Sequence, residues 1–117
     1  MAKITLERLE KTDVTQYPSN SLIDYYDTIH KLLEAITLKD GFKIKGEGSH
    51  KELINFVARK HNMNKSYMVF LQQMRDYRNR ISYEGFMVHK NYIILHKEKI
   101  NRIIQNLIDL LNRSTEI

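Results

Sequence analysis

Apolar residues recur at helical spacing in four separate stretches of the chain. From 21 to 39, Leu22, Tyr25, Ile29, Leu32, Leu33 and Ile36 form one stripe. Ser21 with Asp24 resembles a capping box, Pro18 reads as a break before it, and Gly41 as a stop after it. Ser49 and Glu52 form a second capping box opening a helix over 49–60, whose buried face is Leu53, Phe56 and Val57; His61-Asn62-Met63-Asn64 breaks it. A third helix is predicted over 65–83 and is ended by Gly85. The fourth, over 91–112, carries Ile93, Ile100, Ile104, Leu107, Ile108 and Leu111 on one side and is about 33 Å long at 1.5 Å per residue. Residues 1–20 read as a polar lead-in with a short helical stretch near Thr5–Lys11, Phe42–Gly48 as a loop, and 113–117 as a tail. The expected architecture is all-α: one antiparallel bundle of four main helices spanning 21–112.

One residue breaks the pattern. Tyr67, Leu71, Met74 and Ile81 form the stripe of the third helix, with Phe70 flanking it. Arg78 falls four residues after Met74 and three before Ile81, where the stripe asks for another apolar side chain. A guanidinium stays charged and rarely goes inside without a partner or a ligand. Arg78, followed directly by Asn79, is therefore the leading candidate for a site; the alternative is that it pairs with a buried acid or carbonyl and fixes helix register.

The segment Arg78-Asn79-Arg80-Ile81-Ser82-Tyr83 resembles the Arg-Asn-x-x-x-His signature of HEPN domains, small helical-bundle proteins of prokaryotic toxin–antitoxin and defence systems. The helix holding Asp24-Tyr25-Tyr26-Asp27, the run Lys39-Asp40-Gly41-Phe42-Lys43 and the shorter helix leading into the arginine helix agree with it in outline, so the resemblance covers roughly residues 18 to 112. It implies a metal-independent endoribonuclease or RNA-binding module, with Arg78 and Asn79 on the scissile phosphate. It also implies a homodimer with two arginine motifs across a shared groove and a minimal nucleotidyltransferase as partner. The chain departs from the signature at Tyr83, which stands where the family has histidine, and at Gly85, where a tyrosine is often found. Family enzymes use that histidine as acid or base. A tyrosine with a pKa near 10 is a poor base at neutral pH but still donates a hydrogen bond. Cleavage is then weakened or lost, and the alternative is a non-catalytic interaction subunit that binds a nucleotidyltransferase, a nucleotide or RNA.

Charge sharpens this picture. The formal net charge is +5, but residues 39–102 hold fourteen Lys/Arg against six Asp/Glu, a balance of +8, and both flanks are slightly acidic. A positive field concentrated around the arginine motif favours polyanions. Arg75, one turn before Arg78, extends a phosphate-binding row, and Arg80 flanks the motif on its other side; a solvated role is as consistent with either.

Other chemistry is poorly supported. The absence of cysteine excludes disulfides and thiolate zinc sites, and the five histidines show no metal-ligand spacing. Gly46-Glu47-Gly48-Ser49 lacks the ending of a nucleotide-phosphate loop and is explained by helix capping. No cofactor is expected. With 117 residues the chain is a single domain, no apolar run approaches the ~18 residues of a membrane span, and Met1-Ala2-Lys3-Ile4 opens no signal-peptide pattern, so a cytoplasmic protein is expected.

Overall fold

Four helices account for the fold in the computed structural model, which describes residues 16–41 and 49–113. They are α1 (Pro18–Lys39), α2 (Ser49–Lys60), α3 (Lys65–Glu84) and α4 (Lys90–Arg113), with no strand among the described residues. The expected Thr5–Lys11 helix, the Phe42–Gly48 loop and nearly all of the tail lie outside the described residues.

The boundaries follow local chemistry, with one correction. Helix α1 opens at Pro18, not Ser21: Tyr17 is its N-cap and makes no side-chain cap bond. Proline has no N–H to lose in the first turn and its fixed φ suits a helix start, so it opens the helix instead of breaking it. Ser21 is consequently inside the helix and buried, where no capping box forms. At the other end Gly41 adopts φ +85° and closes the chain back on Leu38. Asn62, at φ 52°, turns the chain after α2, and the Asn64 side chain caps α3 by accepting from Ser66 N–H at 2.8 Å. Gly85, left-handed at φ 69°, ends α3; its N–H and that of Phe86 both reach the Arg80 carbonyl.

Helix α1 is the hub and packs against the other three. All six residues of its expected stripe are buried, joined by Tyr26. From α2 come Leu53, Ile54 and Val57, from α3 Phe70, Leu71 and Met74, and from α4 Ile93, Ile100, Ile103, Ile104, Leu107 and Leu110.

The bundle is not uniformly antiparallel. Ser19, at the start of α1, accepts from Val88 N–H just before α4, and Lys39, at the end of α1, donates to the Leu111 carbonyl near the end of α4. These two helices therefore run in the same direction. Helix α3 runs against both: Arg78 meets Asp27 of α1, while Tyr77 faces Tyr92 and Ser66 faces Lys99 of α4. Helix α2 folds back on α3 through Gln72, which donates to Asn55 Oδ1 at 3.1 Å, so it points the way of α1; His61 beyond its end lies 2.8 Å from Asp40. Such directions are set by contacts between helices, which the period of a single stripe does not encode. No helix among the described residues is long and apolar enough to cross a membrane.

Candidate functional site

Helix α3 is unbroken from Lys65 to Glu84 because Asn64 caps its start and no glycine or proline interrupts it, and this rod fixes where each motif residue points. Met74 and Leu71 are fully buried and set the inward face. Arg78, one turn beyond Met74, reaches the rim of the core, and its side chain keeps 27% of its surface exposed. Its Nε lies 3.6 Å from Oδ1 of Asp27, whose own side chain is 42% exposed. That separation is too long for a hydrogen bond. The Nε is itself shielded from water and has no hydrogen-bond acceptor among the described residues. Arg78 thus forms an ion pair with Asp27, but its Nε makes no hydrogen bond to it.

Beneath this pair lies Tyr26, buried in the core. Burial pushes its hydroxyl up to about 12, while the positive charges of Arg75 and Arg78 pull it back and Asp27 adds to the rise. Both arginines therefore act on the same spot of α1. Arg75 is anchored differently, its Nε donating to Gln72 Oε1 at 3.1 Å. Through Gln72 and Asn55 the arginine row is braced against α2.

The remaining expected site residues diverge. Asn79 follows Arg78 and is partly buried. Arg80 forms an i,i+4 ion pair with Asp76 at 3.2 Å on the exposed side of the helix. Tyr83 is 81% exposed. Five residues along a regular helix turn the side chain by about 140°, so Arg78 and Tyr83 do not converge within one chain.

Two partners were not legible in the sequence: Asp27, which looks like any polar residue of an amphipathic helix, and the aromatic group where α3 meets α4. There Tyr77 stacks on Phe86 at 5.8 Å and meets Tyr92 edge-on at 5.3 Å; Tyr92 lies 4.5 Å from His96, which tilts against Phe70 at 5.1 Å. The Tyr92 hydroxyl, pushed up to about 12 by burial and next by Tyr77, has no hydrogen-bond partner among the described residues. The tyrosine and histidine spacings were the available signal, but an aromatic at helical spacing reads first as core. Comparison of the chain with family models, with curated proteins and with solved structures gives no match.

Proposed function

We propose that this protein is a HEPN-like RNA-binding module in which Arg78 contacts the phosphate backbone, assisted by Asn79 and by Arg75. The observation that carries this reading is the state of Arg78: a permanent cation at the rim of the core, 3.6 Å from a half-exposed carboxylate and with an Nε that lacks an acceptor among the described residues. The part of this side chain that stays exposed would donate a charge-assisted hydrogen bond to a phosphate oxygen, whereas the shielded Nε stays out of its reach. The basic balance of residues 39–102 supports the same partner.

Metal-independent cleavage is the stronger form of the proposal. Arg78 and Asn79 would stabilise charge on the scissile phosphate, and Tyr83, which points elsewhere within one chain, would add no more than a weak hydrogen bond from a second copy. The homodimer is therefore part of the cleaving form, with the two Arg78 side chains facing a common groove. The exposure of Tyr83, which stands where the resemblance has histidine, favours a second reading: a non-catalytic subunit that binds RNA or a nucleotide and docks a minimal nucleotidyltransferase.

Labelled-RNA assays separate the two. In the cleaving form Tyr83→His raises cleavage several-fold and Tyr83→Phe leaves it nearly unchanged, while sedimentation shows a dimer at micromolar concentration. A mass of 14.0 kDa across that range, with no cleavage by wild type or Tyr83→His, removes the ribonuclease reading and leaves the interaction subunit.

A further inference from the structure

A second basic site lies on the other side of α3. Val69 and Arg78 are nine residues apart, about two and a half turns, so they point in opposite directions. On the Val69 side, between the start of α3 and the middle of α4, a cleft of about 520 Å³ is lined by Lys65, Ser66, Val69, Phe70, His96 and Lys99. That volume falls in the range of small-ligand sites, roughly 300–1,000 Å³.

Its charge is one-sided. None of the described residues lining the cleft is acidic, and neither Lys65 nor Lys99 forms an ion pair among the described residues. Glu98, next to Lys99 in the chain, pairs with Arg102. The Lys99 ammonium is held in place by donating to Ser66 Oγ at 2.8 Å and by sitting 5.0 Å from the centre of the Phe70 ring. His96 is tilted against the same ring, and burial together with Lys99 lowers its proton affinity. Two uncompensated cations in a concave, partly apolar wall focus a positive field there.

We propose that this cleft binds the phosphoryl dianion of a small phosphomonoester, with the ammonium groups of Lys65 and Lys99 and the hydroxyl of Ser66 as donors. Two ammonium groups match a dianion better than a single carboxylate. Val69 and the Phe70 ring supply an apolar wall for the organic part of the ligand. The positive end of α3 adds to the field, but the Ser66 N–H is already taken by Asn64, so side chains and not that amide make the contacts. The site is independent of the RNA-binding role of Arg78.

The test is titration calorimetry of the full chain with inorganic phosphate, above pH ~7 where such groups are largely dianionic, at constant ionic strength. Wild type binds phosphate saturably. Lys65→Gln and Lys99→Gln each weaken binding, and the double variant weakens it about tenfold or more, as expected for two lost charge-assisted hydrogen bonds. Lys97→Gln, an equal loss of charge at an exposed position on the same helix as Lys99, leaves it unchanged. Lys65 is exposed, so its replacement reports on the site without a folding defect. The proposal is overturned if phosphate shows no saturable binding, if Lys97→Gln weakens it as much as the double variant, or if acetate binds as tightly as phosphate.

Discussion

Replacing Asp27 with asparagine should strengthen RNA binding. If Arg78 binds phosphate as proposed, Asp27 competes for it, and the substitution removes the competing charge while keeping the shape. At 3.6 Å the Coulomb attraction is about 1 kcal/mol in a water-like dielectric and about 5 kcal/mol at an effective dielectric near 20. With the two side chains 27% and 42% exposed, solvent screens the pair, and the lower end applies, roughly 0.2–1 kcal/mol. Asp27→Asn should therefore cost at most about 1 kcal/mol of stability and raise RNA affinity by up to about fivefold. The assay is fluorescence anisotropy of a labelled single-stranded RNA at one fixed, low salt concentration, since phosphate contacts weaken steeply with salt. Loss of any negative charge helps a polyanion bind, so the gain is read against the same substitution in an Arg78→Ala background. A weaker complex with Asp27→Asn, or an equal gain with and without Arg78, would refute the competition.

Two predictions concern the aromatic group where α3 meets α4. Tyr92→Phe keeps the ring against Tyr77 and His96 but removes a buried hydroxyl that lacks a partner among the described residues, so urea unfolding should show a gain of about 1 kcal/mol; a loss of that size would mean the hydroxyl is satisfied in solution. His96 holds its proton less tightly in the fold than the ordinary value of 6.5, so the unfolded chain binds more protons below that pH. Stability is thus full above pH 6.5 and declines as pH falls through the lower folded-state value, and His96→Gln should flatten that part of the melting temperature against pH. An unchanged profile in the variant would show that other groups carry the acid sensitivity.

The helices were legible in the sequence because each buries one stripe against a common core. Leu22, Ile29, Leu33 and Ile36, or Ile93, Ile100, Ile104 and Leu107, could be read from spacing alone, and all are buried. The stripes understate burial at Tyr26, Ile54 and Ile103, which are also buried. For Tyr26 the cause is tertiary: α1 is covered from three sides, so its buried face is wider than one stripe. The start at Pro18 was misread because proline both breaks and opens helices, and only the downstream backbone decides which. Helix direction was also hidden. Seven residues separate Gly41 from Ser49 and can reach about 25 Å when extended, enough to let consecutive helices run the same way. The anomaly at Arg78 was visible as a charge in an apolar stripe, whereas its neighbours Asp27 and Tyr26 lie about fifty residues earlier and meet it only through α1–α3 packing. That Tyr83 lies off the Arg78 direction follows from helix geometry alone.

Whether Arg78 binds the RNA backbone, as proposed, is tested most directly by comparing wild type with Arg78→Ala across a salt series. Loss of one phosphate contact should weaken binding by about 1–3 kcal/mol at low salt and lower the slope of log affinity against log salt by about one. Partial burial of Arg78 calls for circular dichroism to confirm that the variant stays folded. A folded Arg78→Ala protein with wild-type affinity and an unchanged salt slope would contradict the claim.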